Sequence, residues 1–269
     1  LRGAAWAALI LAVAAAAQLA LYGYLYGKPS LNGERPPYLM ARVIADGPGL
    51  WYLHAHCGGG EWAVCGYMEK LNDDPDHFLW DEEGAYISAT PEESTRMRRE
   101  EMPLVRAAVM AYPRAQLARS RDNFWNQLHA FGLYGFDPSA FIEGEFQTVL
   151  PGERGQFLAS RQARTALPLD ELTDFQWWVV VVSLAAVAGL IPLLWRRRNP
   201  CIVPLGLTVA FAIVANAAVT GVLSVVDDRY GCRVIWLAPL AVLLGVADWL
   251  TQGGSWRLRK RDAARAGVR

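Results

Sequence analysis

The chain contains no Gly-x-Ser-x-Gly elbow, no phosphate-binding glycine loop and no His-Glu-x-x-His pair. Their absence removes the common soluble-hydrolase and nucleotide-binding readings, because each motif supplies a geometry that its chemistry needs. Histidine and cysteine are both scarce, at 4 each in 269 residues. No strand-like alternation and no internal repeat runs through the sequence. A formal net charge of zero gives no footprint for nucleic acid. Neither a cofactor nor a metal is expected.

What the chain has is apolar length. Four stretches, Ala4–Tyr26, Phe175–Trp195, Cys201–Val226 and Val234–Leu250, are of membrane-crossing size. At 1.5 Å per residue, each crosses or nearly crosses a hydrocarbon core of about 30 Å. The first exceeds a signal-peptide core in length and ends in Tyr22, Tyr24 and Tyr26, an interfacial aromatic belt. A retained span is expected there. The chain starts on Leu1, which leaves open an unusual start codon, a processed chain or the C-terminal part of something longer. The expected fold class is an all-α membrane protein: four transmembrane helices with a mainly helical extracytoplasmic domain, 27–173, inserted between the first and second. The first span closes at residue 26, helices two to four occupy 174–251, and a basic tail covers 252–269.

Charge sets the orientation. Arg2, the link Arg196-Arg197-Arg198, and Arg257, Arg259, Lys260, Arg261, Arg265 and Arg269 of the tail sit in short segments opposed by one acid, Asp262. Residues 27–173 instead carry an acidic excess. Lys and Arg in short loops stay inside, so both termini are expected in the cytoplasm and 27–173 in the periplasm of a bacterial inner membrane. Membrane lipids are expected partners, the basic tail meeting anionic head groups.

Cys57 and Cys65 bracket a short loop containing three consecutive glycines, Gly58-Gly59-Gly60. In an oxidising compartment a disulfide is the natural expectation. His54 and His56 stand just before Cys57 and raise zinc as the competing reading, but nothing else in the segment resembles a paired zinc motif. Cys201 and Cys232 fall at opposite ends of spans three and four and are not expected to pair. His77 and His129 read as structural histidines. The run Asp73-Asp74-Pro75-Asp76 lacks the glycine turn and distal glutamate of a calcium loop and reads as a solvated turn.

Inside 27–173, Thr90-Pro91-Glu92-Glu93 is a helix start, with Thr90 as N-cap and Glu93 closing a capping box. Met97, Leu104, Val105, Ala108, Val109 and Tyr112 follow at helical spacing, with a kink expected at Pro103. A second helix is expected from about Arg114 to Phe131, its buried stripe being Leu117, Phe124, Leu128 and Phe131. Pro36–Asp46 and Leu50–His54 read as shorter helices around Gly47-Pro48-Gly49. Leu150–Leu172 reads as loop with a short helix leading into the membrane.

The densest chemistry lies between spans three and four, in Asp227-Asp228-Arg229-Tyr230-Gly231-Cys232-Arg233. Charges at head-group level are costly unless paired or wet. Asn216, Thr220 and Ser224, spaced by four, form a polar stripe leading to it, while Ala215, Ala218 and Gly221 permit close helix approach. Two readings stay open. One is a structural ion-pair knot with interhelical glue. The other is an anionic head group held by Arg229 and Arg233, with Asp227 or Asp228 orienting sugar or metal.

The order Asp228-Arg229-Tyr230 followed by Trp236-Leu237-Ala238-Pro239-Leu240 resembles the last-helix region of polytopic bacterial glycosyltransferases that use lipid-linked sugars. The chain is also similar to the C-terminal half of uncharacterised bacterial inner-membrane proteins with such an insertion. The glycosyltransferase resemblance implies a catalytic acid in a first extracytoplasmic loop and many more spans than four, so it casts this chain as the C-terminal part of such an enzyme. The motif-poor domain favours a non-enzymatic membrane subunit whose periplasmic helices dock a protein partner or scaffold a larger complex. A transport-system permease is the remaining alternative.

Overall fold

The computed structural model describes residues 2–31, 33, 35–138, 140–196, 202–248 and 250. The basic tail, Arg197, Arg198 and Cys201 lie outside them. All regular structure among the described residues is helical. The helices are α1 (Arg2–Tyr26), α2 (Tyr38–Ala45), α3 (Pro48–His56), α4 (Pro75–Trp80), α5 (Pro91–Ala111), α6 (Pro113–His129), α7 (Ala140–Thr148), α8 (Arg154–Ala159), α9 (Leu169–Arg196), α10 (Ile202–Leu223) and α11 (Asp228–Ile235). Four stretches are long and apolar enough to cross a membrane: Ala8–Tyr26, Leu169–Gly189, Pro204–Leu223 and Asp228–Asp248. The chain divides into two compact units at residues 116 and 117.

In the first unit, α2 to α5 surround a core of Met40, Ala41, Ile44, Leu53, Val64, Phe78, Leu79, Met97 and Leu104. The turn between α2 and α3 depends on glycine twice. Gly47 has φ +103°, a backbone that favours glycine. A Cβ on Gly49 would lie 2.7 Å from the Ile44 nitrogen, so only glycine lets α3 approach the backbone of α2. The capping box at Thr90 and Glu93 is formed, and α5 continues through Pro103 as one helix.

α5 also caps its neighbours. Pro37, at the N-cap of α2, offers no side-chain acceptor. Glu101, buried in mid-α5, accepts the Leu39 N–H at 2.8 Å and the Arg35 guanidinium at 2.8 Å. Glu100 likewise accepts the Ala63 N–H at 2.7 Å, at the start of the 3-10 segment Ala63–Lys70. Arg96 donates to the Glu61 carbonyl at 2.7 Å. Two orphan helix-start donors are thus satisfied from a third helix. The Glu100 and Arg96 bonds also tie down the loop closed by the Cys57–Cys65 disulfide, whose Cα atoms are 5.4 Å apart.

Asp74 lies in the exposed turn expected there and also caps α4. Its carboxylate accepts the Asp76 N–H at 2.8 Å, and Pro75 opens α4. Proline loses nothing at a first helical position, where its missing donor has no partner anyway. Tyr67 donates to Glu93 at 2.7 Å. The hydrogen bond from Tyr67, followed by those from Thr90, holds the Glu93 carboxyl below its usual range. The bond to Glu93 correspondingly raises the Tyr67 phenol.

In the second unit, α9, α10 and the Asp228–Asp248 span enclose Val180, Val209, Ile213, Ile235, Ala238 and Ala241, with Phe131 added from just beyond α6. Two spans begin earlier than the apolar runs suggest, at Leu169 instead of Phe175 and at Asp228 instead of Val234. Their first turns carry acids, Asp170 and Glu171 in one and Asp228 in the other, which lower hydropathy but suit a helix start. A turn at Trp236 interrupts the last span, and helix resumes over 237–248. Pro239 accounts for it: it cannot donate to the Ile235 carbonyl, and its ring clashes with a helical carbonyl four residues back.

α6 corrects the expected stripe. Leu117 is 73% exposed, whereas Phe131 is buried and Leu128 packs against the same core. The buried residue of α6 itself is polar, Gln127, at 2% exposure.

Candidate functional site

The Asp227–Arg233 hairpin is assembled from three directions. From within, Asp227 caps α11: its carboxylate accepts the Arg229 N–H at 2.8 Å and lies 3.4 Å from the Arg229 guanidinium. From α10, Asn216 Nδ2 donates to the Tyr230 carbonyl at 3.0 Å, and just beyond that helix the Ser224 hydroxyl lies 3.3 Å from the Tyr230 hydroxyl. Thr220 bonds back to the Asn216 carbonyl of its own helix at 2.8 Å. The polar stripe therefore grips one residue, Tyr230, at its backbone and at its ring tip.

The third direction is the end of α6. Gln127 acts like a length of backbone. Its Nε2 donates to the Asp227 carbonyl and its Oε1 accepts the Asp227 N–H, both at 2.9 Å. Asp228 completes the joint by accepting the Gly132 N–H at 2.8 Å. Cys232 donates to the Phe131 carbonyl at 3.0 Å, and Gln176 of α9 donates to the same carbonyl at 2.6 Å. Close packing needs glycine here. A Cβ on Gly231 would strike the Ala130 carbonyl oxygen, and one on Gly221 would lie 2.7 Å from the Asn123 carbonyl oxygen.

Two arginines lie against the Tyr230 ring on the exposed side of this knot. The guanidinium carbons of Arg229 and Arg233 lie 5.0 and 5.2 Å from the centroid of the same Tyr230 ring. Both side chains are exposed. Arg229 also reaches the Tyr230 hydroxyl at 3.4 Å. Among the described residues, Arg233 has no carboxylate within salt-bridge distance. Nearby, the Tyr134 phenol is pushed up first by the charge of Asp170, with lesser contributions from Asp174 and Asp228. Its hydroxyl donates to Asp170 at 3.3 Å.

All eight expected residues of hairpin and stripe thus fall in one neighbourhood. The expected disulfide partners Cys57 and Cys65 are bonded to each other. Gln127, Gln176 and Gly132 join the hairpin although no motif in the sequence marks them. The only signal for the first was a glutamine beside the apolar positions of α6. Elsewhere, the His56 ring lies 2.8 Å from the Tyr52 carbonyl and stacks on the Tyr52 ring at 4.0 Å. His129 Nδ1 is 2.8 Å from the Trp125 carbonyl, and His77 faces Asp81 at 3.3 Å. No family model, curated protein or solved structure matches the chain.

Proposed function

We propose that this chain is a non-enzymatic multi-pass subunit of a bacterial inner-membrane assembly, with 27–173 on the periplasmic face as its docking element and both termini in the cytoplasm. The observation that carries the reading is how the hairpin spends its acids. The Asp227 carboxylate accepts the N–H of Arg229 and the Asp228 carboxylate that of Gly132. A general acid or nucleophile needs a carboxylate facing substrate, whereas these two hold backbone in place. Asn216 and Gln127 are spent in the same way. Such a joint fixes the register of the hairpin against α6, α9 and α10.

Support for the orientation comes from the basic residues of the short segments and from the disulfide, a bond that persists in oxidising compartments. The experiment is affinity purification of the full chain in mild detergent, alongside Asp227→Ala and Arg229→Ala. A stoichiometric companion protein that is lost from Asp227→Ala supports the subunit reading. A chain that always runs alone counts against it. Intact assembly with lost sugar transfer from a lipid-linked donor would favour the enzyme instead.

A further inference from the structure

The knot accounts for Asp227, Asp228, Asn216 and Gln127, and leaves the guanidinium groups of Arg229 and Arg233 on its exposed side. We propose that Arg229 and Arg233, held on Tyr230, form a binding site for the phosphodiester of an anionic phospholipid.

Three observations carry this. The first is preorganisation. Tyr230 is fixed by Asn216 at its carbonyl and approached by Ser224 at its hydroxyl, so the ring on which both guanidinium groups rest is itself held. Long arginine side chains normally lose freedom on binding, and a held platform reduces that cost. The second is charge. Two guanidinium groups converge on one ring, and the counter-charge is uneven: Asp227 lies 3.4 Å from Arg229, while Asp228 is turned to the Gly132 N–H. Arg233 has no carboxylate within salt-bridge distance among the described residues, and planar guanidinium forks match phosphate oxygens.

The third is depth. Arg233 lies in the second turn of the Asp228–Asp248 span. One residue before it, Cys232 is 3.6 Å from Gln176 of α9, so the two helices share a level there. Beside Gln176, Trp178 is 63% exposed, and Trp236 is 53% exposed on the last span. Outward-facing tryptophans mark the membrane–water boundary. A cation pair at that level meets lipid phosphate. The Trp236 indole donates to the Arg233 carbonyl at 2.8 Å, tying the aromatic anchor to the same turn.

The test uses the full chain in mild detergent, with native mass spectrometry against phosphatidylglycerol and phosphatidylcholine of matched acyl chains. The basic tail is common to every variant and contributes an equal background. The wild type is expected to prefer phosphatidylglycerol. Arg233→Gln should weaken that binding about tenfold, the loss of one charge-assisted contact, and Arg229→Gln with Arg233→Gln should erase the preference. Inorganic phosphate at millimolar concentration should not displace the lipid. Phosphatidylglycerol binding unchanged in the double variant would overturn the proposal. Displacement by inorganic phosphate would assign the site to a soluble phosphate and overturn the lipid. Should the double variant unfold, Arg233→Glu decides at an exposed position: preference retained after charge reversal refutes the site.

Discussion

Replacing Gln127 with leucine changes side-chain volume little and removes three hydrogen bonds at once, two of them to Asp227 and a longer one to the Ala130 carbonyl. The Asp227 N–H and carbonyl, each 2.9 Å from the carboxamide, lose their partner. Leaving a buried backbone group unpaired costs about 1–3 kcal/mol. The Asp227 side chain is part-exposed, so water can relieve some of this, and about 2–4 kcal/mol in total is expected for the variant. By the usual scaling for a chain of this size, the unfolding midpoint should fall by roughly 5–10 °C. Gln127→Glu keeps an acceptor for the N–H but cannot donate to the carbonyl, and it adds a charge near Asp227 and Asp228, so it should not rescue. Hydrogen exchange localises the effect: the Asp227 amide should lose about thirtyfold protection or more. A Gln127→Leu protein with an unchanged midpoint and an Asp227 amide as protected as before would refute the idea that this glutamine clasps the hairpin.

Other outcomes follow from the same contacts. Gly231→Ala forces a methyl against the Ala130 carbonyl oxygen and should destabilise by about 1–3 kcal/mol through overpacking, read as a lower midpoint in the same detergent. Serine at Cys57 and Cys65 opens a loop of sequence separation 8. It should cost about 2–3 kcal/mol on the loop-closure scale, seen as faster protease cleavage between residues 57 and 70. Glu101→Ala leaves the Leu39 N–H and Arg35 without their acceptor. It should destabilise the first unit by about 3 kcal/mol, measured by protease resistance of residues 35–116. The pH dependence has two limbs. Glu93 titrates below its ordinary value when folded, so its contribution is full above the unfolded pKa and is lost as pH falls through the depressed one. Tyr67 titrates above its ordinary value, so its contribution is full below the unfolded pKa and is lost as pH rises through the raised one. Glu93→Gln should flatten both limbs of the midpoint-versus-pH curve.

The spans were legible because apolar length is a local property of the chain, and the Thr90 cap because its partner is three residues away. The starts of α9 and of the last span were misplaced by six residues each because hydropathy treats Asp170, Asp174, Asp228 and Arg229 as breaks. Asp227 instead supplies the cap that lets α11 begin among charges. Spacing alone places Leu117 in a buried stripe, yet it is exposed. Gln127 was invisible for the complementary reason: a polar residue reads as outward-facing, and its partner Asp227 lies 100 residues away. The stripe Asn216, Thr220 and Ser224 was readable as a face, but not its object. That Asn216 and Ser224 hold Tyr230 depends on the turn geometry of the hairpin.

The topology is tested most directly by labelling single cysteines in intact spheroplasts. With Cys201 and Cys232 changed to serine and the Cys57–Cys65 disulfide kept, Glu82→Cys and Arg259→Cys are each challenged with a membrane-impermeant maleimide before and after lysis. Glu82→Cys should label fully in spheroplasts, and Arg259→Cys only once the membrane is broken. Labelling of Arg259→Cys in intact spheroplasts, with Glu82→Cys protected until lysis, would contradict the orientation on which the docking role depends.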